Sequence, residues 1–419
     1  MHVSLVVTGS RGDVQPFIAL GRTLTARGHS VLLATHGDFE KLVRESGLDF
    51  AELPGSPRDF LAHPALAEAL QQGASLFRAA RKVPRQTPEH IRGLAARIRE
   101  VCEGADLVVN SVLSRILFED TGTSPWASLT WWPLNPTSRW PAMMAPPTRL
   151  GPLYNRLTHR AAGLLDWISI RGYRKDAGMP GLPFGAPYRE LGREVPLLCP
   201  VTREMFTEPA DWPALARFTG YWFWDREWSP SAELAAFMES EPGNAPVTLS
   251  FGSIWPVHQP EKTLEKVLGV VRSHGRRLVL VGGGPEEVPD DVFRVEDAHY
   301  PWLFPRSSVV IHHGGCNTTG EALRSGTPQV VVPTFADSPF WAAQVHRMGV
   351  SPQPIPFSKF TAERLDEALG RALTDQGMAR RAASVGEAVR AEKGTEAAVD
   401  ILEDWVERWR GRQTANTRT

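Results

Sequence analysis

The stretch from residue 311 to 341 constrains the fold of this 419-residue chain more than any other. It reads IHHGGCNTTGEALRSGTPQVVVPTFADSPFW. The β-branched run at 308–311 predicts a buried strand, Gly314 and Gly315 break it, and a helix is predicted at 319–325. A second strand is predicted at 329–332. This order of strand, turn, helix and strand is typical of a parallel α/β fold.

The turn before the predicted helix has the features of an anion site. Free amides and the positive end of a helix dipole attract phosphate, and polar side chains surround this turn at His313, Asn317 and Thr318. Asp337 follows the second strand, so it is predicted at the carboxyl edge of the sheet, where α/β proteins bind ligands. A carboxylate at this edge is suited to hydroxyl groups.

Composition limits the number of domains and the class of partner. A chain of 419 residues exceeds what one hydrophobic core usually serves, so two domains are expected. Lysine plus arginine (46) nearly balances aspartate plus glutamate (47), which gives no electrostatic reason to expect nucleic acid or an anionic membrane as partner. A small-molecule partner is expected instead.

Compartment is inferred from the cysteines and the apolar runs. The three cysteines are widely spaced and odd in number, which indicates neither a disulfide framework nor a zinc cluster. The N-terminus shows no basic leader, and no apolar run is long enough to cross a bilayer. We therefore expect a soluble, cytoplasmic chain without stable membrane insertion.

Strands and helices alternate along the rest of the chain. Apolar runs predict further strands at 2–8, 30–35, 107–110, 247–250 and 277–281. Helical patterns cover 14–27, 64–103, 116–121, 154–176, 261–273, 340–348, 361–374 and 379–409. This alternation predicts two doubly wound parallel sheets.

One long segment lacks periodicity. Residues 125–152 are rich in proline and tryptophan, which predicts a loop with a binding role. Trp131, Trp132 and Trp140 could form an aromatic wall for an apolar acceptor, or they could pack in a core. Both alternatives remain open from the sequence.

Four stretches together resemble a known family. They are 9–31 (GSRGDVQPFIALGRTLTARGHSV), 209–225 (PADWPALARFTGYWFWD), 249–255 (LSFGSIW) and the segment 311–341. The chain resembles family 1 glycosyltransferases of the GT-B fold, and especially the bacterial and fungal sterol, glycolipid and antibiotic enzymes. The resemblance implies two Rossmann-like domains that face a cleft, with a last helix that crosses back to the first domain. The implied parts are an acceptor domain at 1–220, a linker at 221–246, a donor domain at 247–395 and the crossover helix and tail at 396–419.

The resemblance also implies a reaction and a donor site. The expected reaction is an inverting, metal-free transfer of a hexose to a hydroxyl of a hydrophobic acceptor such as a sterol or polyketide. The co-substrate is a UDP- or TDP-linked sugar, with no other cofactor. The donor residues carried over by motif or position are Arg11, Ser253, Val295, His313, Gly315, Asn317, Thr318, Glu321, Asp337 and Ser338.

Ser338 departs from the family pattern. The family pairs an aspartate with a glutamine to hold the sugar hydroxyls, and this chain has Asp337 followed by Ser338. Serine reaches less far than glutamine and has one donor instead of two. The departure favours a donor sugar other than glucose, or a looser grip on glucose.

The general base is predicted to be Asp13, because Asp13 stands where plant-like members carry a histidine. An ordinary aspartate has a pKa of about 3.9, which is too low for efficient proton abstraction unless burial raises it. The alternative role for Asp13 is a helix N-cap. Asn110 stands where plant-like enzymes hold a supporting acid, so a His–Asp dyad is excluded. Two other functions remain open, a nucleotide-sugar epimerase and a non-catalytic helper of the same fold.

Overall fold

The computed structural model describes residues 1–56, 86–143, 145–146, 148, 150–182, 188–252, 260–285, 287–334 and 336–416. These residues form two compact units. The first contains the described residues up to Asp225 and those from Glu392 onward, and the second is 226–391. Ser253 and much of the predicted helical region 64–103 lie outside the described residues.

The first unit is built on a parallel sheet of seven strands. Its strands are β1 (His2–Val6), β2 (Ser30–His36), β3 (Asp49–Leu53), β4 (Leu107–Ser111), β5 (Trp126–Leu129), β6 (Leu197–Cys199) and β7 (Ala216–Phe218). Its α-helices are α1 (Arg11–Ala26), α2 (Glu40–Glu45), α3 (Pro88–Cys102), α4 (Pro152–Asp176) and the C-terminal helix Gly394–Asn416. The strand order is β3-β2-β1-β4-β5-β6-β7.

This order reverses direction between β1 and β4. The two neighbouring strands are therefore followed by connections that leave on opposite sides, which opens a crevice at their carboxyl ends. Val3, Leu5 and Val6 of β1 are fully buried, so this edge is held by the core of the unit. The crevice is where a ligand of this sheet is expected.

The second unit repeats the plan with five parallel strands in the order β10-β9-β8-β11-β12. The strands are β8 (Val247–Ser250), β9 (Leu278–Val281), β10 (Val292–Val295), β11 (Val309–His312) and β12 (Gln329–Val331). The helices are α5 (Ala232–Glu239), α6 (Pro260–Ser273), α7 (Tyr300–Leu303), α8 (Cys316–Ser325), α9 (Ser338–Arg347), α10 (Ala362–Thr374) and α11 (Gln376–Ala391). Its order reverses between β8 and β11, so the second crevice lies beside His312.

The C-terminal helix, α12 (Gly394–Asn416), packs on the first unit, as the resemblance implies. Arg27 pairs with Asp400 at 2.6 Å and with Glu403 at 2.8 Å. The indole Nε1 of Trp405 donates to the Trp126 carbonyl oxygen at 3.0 Å in the buried interior. The last helix thus belongs to the core of the domain that begins the chain.

Three predicted elements differ from the structure. The helix expected at 116–121 is only a 3₁₀ turn, Ser114–Leu117. The expected loop 125–152 contains strand β5, whose four residues are all buried, because a short strand surrounded by proline shows no periodicity. The single helix expected at 379–409 is two helices with a break at 392–393. The second begins at Gly394, where a Cβ would overlap the carbonyl oxygens of Gly220 and Tyr221.

Candidate active site

Asp13 lies in the first crevice, at the third position of α1 directly after β1. Its Oδ2 accepts hydrogen bonds from the Ser10 backbone N–H at 2.7 Å and from the Ser10 hydroxyl at 3.0 Å. Its Oδ1 accepts a hydrogen bond from the indole Nε1 of Trp131, a residue 118 positions later in the chain. The carboxylate is therefore held at both oxygens. The N-cap of α1 is Ser10, so the alternative role of Asp13 as N-cap is wrong.

The surroundings of Asp13 leave space for nothing larger than glycine at position 9. Gly9 has a φ of 135°, and a Cβ there would overlap the Asp13 carboxylate. On the other side the Trp131 ring packs edge-on against Phe17, with ring centroids 6.1 Å apart. Backbone and aromatic packing together fix the position of the carboxylate.

The pKa of Asp13 responds to two opposing effects. Burial raises the pKa of the Asp13 carboxyl above its ordinary value, and the hydrogen bonds from Ser10 and Trp131 lower it by less. A raised pKa moves an aspartate toward the range in which it can take a proton at neutral pH. Burial of this kind is what a base role for Asp13 requires, and that role stays a prediction.

Within the part of the chain that the structure describes, Asn110 makes no hydrogen bond to Asp13. It lies in β4, is fully buried, and its Oδ1 accepts from the Ser128 hydroxyl at 2.5 Å. Among the described residues, its Nδ2 has no hydrogen-bond acceptor. Ser10 and Trp131, and not Asn110, are the residues that orient Asp13.

The second crevice contains the glycine turn and the N-terminus of α8. The helix begins at Cys316 with Gly315 as N-cap, three residues earlier than the sequence predicts. Its first backbone hydrogen bond runs from the Thr319 N–H to the Gly315 carbonyl oxygen at 2.9 Å. The amides of residues 316–318 precede that bond, as the first amides of every helix do. Asn317 and Thr318 therefore lie in the first turn of the helix and are not its caps.

His312 stabilises this glycine turn through hydrogen bonds of both ring nitrogens. Its Nδ1 accepts from the Gly314 N–H at 3.1 Å, and its Nε2 lies 2.9 Å from Gln329 Oε1. Burial lowers the pKa of His312 to about 4, so the imidazole is neutral and its Nε2 carries the proton given to Gln329. This role of His312 has no signature in the sequence.

His313 lies directly over the N-cap of α8. A Cβ on Gly315 would approach the Nε2 of His313 to 2.5 Å, and a Cβ on Gly252 would approach its Cε1 to 3.5 Å. The imidazole thus rests between the turn after β8 and the turn after β11. This position puts an imidazole nitrogen beside the helix amides that a phosphate would contact.

The chain was compared with families and proteins of known identity. Residues 3–109 match the glycosyltransferase family 28 N-terminal domain, and residues 282–404 match the erythromycin biosynthesis protein CIII-like C-terminal domain. Over the full length of both proteins, the chain is 42% identical to O-mycaminosyltylonolide 6-deoxyallosyltransferase of Streptomyces fradiae. The chain belongs to the GT-B glycosyltransferases.

More distant relatives agree with this assignment. Over 96% of its length the glycosyltransferase is 29% identical to sterol 3-beta-glucosyltransferase UGT80B1 of Arabidopsis thaliana, of which it covers 68%. The glycotransferase of kitacinnamycin superposes with a TM-score of 0.68 over 97% of this chain and 99% of that one, at 22% identity. VinC in complex with DTDP superposes with a TM-score of 0.62 over 97% of this chain and all of that one, at 20% identity. These solved structures share the fold.

Glu321 projects from α8 and forms an ion pair. The Nε and Nη2 of Arg324 donate to its Oε2 at 3.1 and 2.8 Å, and both side chains are mostly buried. Arg324 was not among the residues predicted for the donor site. Its spacing of three residues from Glu321 was the available signal.

The loop before α9 carries Asp337 and a strained neighbour. Ala336 has a φ of 54°, the only positive value at a non-glycine position among the described residues. The Oδ2 of Asp337 accepts from the Trp341 indole Nε1 at 2.7 Å. Strain of this kind costs about 1–3 kcal/mol and persists where the surrounding structure or a ligand requires it.

Ser338 points into the protein. It is 3% exposed, and its hydroxyl oxygen accepts from the Thr334 N–H at 3.1 Å. A Cβ on Gly314 would lie 3.1 Å from the Ser338 carbonyl oxygen, so Ser338 also packs against the glycine turn. These contacts give Ser338 a structural role that the sequence analysis did not include.

The other residues predicted for the acceptor and donor sites lie in different parts of the two units. Trp140 is 7% exposed and packs on Phe206, Trp212 and Phe218 with ring centroids 4.7 to 6.3 Å apart in that cluster, so it lies in a core. Trp132 is partly buried beside Trp131. Arg11 begins α1 in the first unit, and Val295 ends β10 in the second.

Ser10 and the hydrogen-bonding role of Trp131 were missed from the sequence. A serine three residues before an acid is the spacing of a capping box, which was the available signal for Ser10. No pattern in the sequence joins Asp13 to Trp131. No described helix is both long enough and apolar enough to span a membrane.

Proposed function

We propose that this glycosyltransferase moves a 6-deoxyhexose from a nucleoside diphosphate to a hydroxyl of a hydrophobic acceptor, with inversion at the anomeric carbon. The observation that carries this proposal is the full-length, 42% identical match to a 6-deoxyallosyltransferase whose acceptor is O-mycaminosyltylonolide. The match supports the acceptor class expected from the sequence, a polyketide or similarly apolar alcohol.

In this proposal Asp13 is the general base. The acceptor O–H gives its proton to the Asp13 carboxylate as the acceptor oxygen forms a bond to the anomeric carbon. The burial that raises the pKa of Asp13 supports this role, because a more basic carboxylate takes the proton more readily. Ser10 and Trp131 keep its oxygens in one orientation.

The leaving diphosphate is received by the second unit. As the bond from the anomeric carbon to the diphosphate oxygen breaks, both electrons go to that oxygen. The first amides of α8 and the His313 imidazole stabilise the developing charge, together with Asn317 and Thr318. No resident metal is required in this scheme.

The sugar and ribose contacts follow from the remaining side chains. Asp337 holds sugar hydroxyls, and Glu321 holds the ribose. Ser338 is buried and bonded to Thr334, and a serine has no side-chain amide such as the family's glutamine uses to contact the sugar. A site with fewer hydrogen-bonding groups is suited to a donor that lacks the C6 hydroxyl.

A donor and acceptor screen tests the proposal. The purified chain is incubated with UDP- and TDP-linked glucose and 6-deoxyhexoses and a panel of apolar alcohols, and products are identified by mass spectrometry. We expect transfer from a 6-deoxyhexose donor, with an inverted anomeric configuration by NMR. Retention of configuration, or a new sugar nucleotide formed without acceptor, would refute the proposal.

A further inference from the structure

Helix α4 buries polar side chains and exposes apolar ones, which is the reverse of a usual surface helix. Its buried positions include Asn155, His159 and Arg174, whereas leucines occupy exposed positions. The polar side chains anchor the helix: Asn155 donates to the Ser138 carbonyl oxygen at 2.8 Å, and Arg174 donates to the Pro180 carbonyl oxygen at 2.7 Å. A surface helix of a globular protein usually buries its apolar side chains instead.

The exposed side of α4 holds most of the exposed large hydrophobic side chains of the described chain. Of eight such residues, seven lie between Leu150 and Tyr173. Four of them form one stripe by helical spacing, and their exposed fractions are 72% for Leu153, 52% for Leu157, 42% for Leu164 and 56% for Ile168. At 1.5 Å per residue the stripe is about 22 Å long. Contiguous apolar surface of this kind marks an interaction site.

Basic side chains accompany the stripe. The helix contains five arginines and lysines and two aspartates, although the whole chain has a net charge of -1. Four of these five, Arg156, Arg160, Arg171 and Lys175, are exposed, and Arg156 lies 3.9 Å from the Asp211 carboxylate. The surface of α4 is therefore locally positive although the net charge of the whole chain is near zero. The expectation that no anionic membrane is a partner rested on that net charge.

We infer that this face of α4, defined by Leu153, Leu157, Leu164, Ile168 and the basic residues beside them, binds peripherally to an anionic lipid surface. An interfacial helix inserts its apolar side chains shallowly while lysines and arginines contact acidic head groups. The face is a convex stripe of leucine and isoleucine, and leucine is under-represented among the residues that dominate protein–protein binding. This composition favours lipid over an acidic protein. The inference does not depend on the proposed sugar donor.

Vesicle co-sedimentation of the full-length chain tests the inference. The probe is a vesicle of phosphatidylcholine and phosphatidylglycerol in equal parts, compared with pure phosphatidylcholine. We expect binding to the mixed vesicles that weakens at high salt, and little binding to the pure ones. The combined variant Leu153→Ser, Leu157→Ser and Ile168→Ser should bind the mixed vesicles more than about tenfold more weakly.

Matched variants separate charge from folding effects. Arg160→Glu with Arg171→Glu should weaken binding, whereas Arg364→Glu with Arg380→Glu, an equal charge change on exposed residues of the second unit, should reduce it less. Circular dichroism confirms that each variant is folded, which is expected because the replaced side chains are exposed. Three results would overturn the inference: no binding to mixed vesicles, unchanged binding of the serine variant, or a dimer in sedimentation velocity that the serine variant dissociates.

Discussion

The two units offer different chemical groups for their predicted tasks. The first unit presents one carboxylate, Asp13, held by a neighbouring serine and by an indole from far along the chain. The second presents backbone amides and an imidazole, all from the single stretch that includes His313 and α8. A carboxylate accepts protons, and amides at a helix N-terminus bind anions.

This difference separates the two tasks of the proposed reaction. Changes at Asp13 should affect proton transfer and leave nucleotide binding intact. Changes at His313 should affect both nucleotide binding and departure of the diphosphate. Variants at Asp13, His313 and Trp131 test this separation, with effects that decrease in that order, and a variant at Ser338 has the smallest effect.

Asp13→Asn should have the largest effect. An amide cannot accept the acceptor proton, so the transfer rate should fall by about 1,000-fold. The rate is measured by mass spectrometry of the glycosylated acceptor. Asp49→Asn, on an exposed residue of the same unit, is the control and should retain full activity. Substantial transfer by Asp13→Asn would remove Asp13 from the mechanism.

His313→Ala should reduce the transfer rate by about 100-fold, because one donor to the departing diphosphate is lost. The KM for the sugar nucleotide should rise as well, since the same donor contacts the diphosphate in the ground state. Steady-state kinetics with varied donor measures both constants. His274→Ala, which removes an imidazole paired with Asp366 in the same unit, should change neither.

Trp131→Phe should lower the rate at acidic pH, by less than His313→Ala lowers it, and leave the rate at alkaline pH nearly intact. The indole hydrogen bond lowers the pKa of Asp13, so its loss raises that pKa further and leaves less carboxylate at a given pH. The ascending limb of kcat/KM against pH should therefore move to higher pH. Trp167→Phe, which removes an indole bonded to the Leu182 carbonyl oxygen, is the matched control and should leave the profile in place.

Ser338→Ala should have the smallest effect on transfer, less than about twofold, because its hydroxyl serves the loop and not the sugar. Removing the acceptor of the Thr334 N–H should instead lower the Tm by about 2 °C. Differential scanning calorimetry and donor kinetics measure the two quantities. A large change in donor preference with unchanged Tm would show instead that the Ser338 hydroxyl contacts the sugar.

The sequence predicts the second unit better than the first. Its predicted site is formed by residues that are consecutive in the sequence. Strand β11, the glycine turn and helix α8 were therefore predicted to within three residues, and their order predicts the anion site. The ion pair of Glu321 with Arg324 was missed, although its spacing is local.

The first unit depends on contacts between distant segments. Asp13 could be singled out by resemblance, but its hydrogen bond to Trp131 spans 118 positions and has no local signature. The same is true of α4, where polar side chains are buried because they bond to loop carbonyl groups. Periodicity identified that helix but could not show which side faces solvent.

The central claim is that the proton and the leaving group are handled by different units. Titration calorimetry of thymidine and uridine diphosphate with the wild-type chain, Asp13→Asn and His313→Ala tests it directly. We predict that whichever nucleotide binds the wild type binds Asp13→Asn with the same Kd, and binds His313→Ala about tenfold or more weakly. Loss of nucleotide binding in Asp13→Asn, or wild-type affinity in His313→Ala, would contradict the claim.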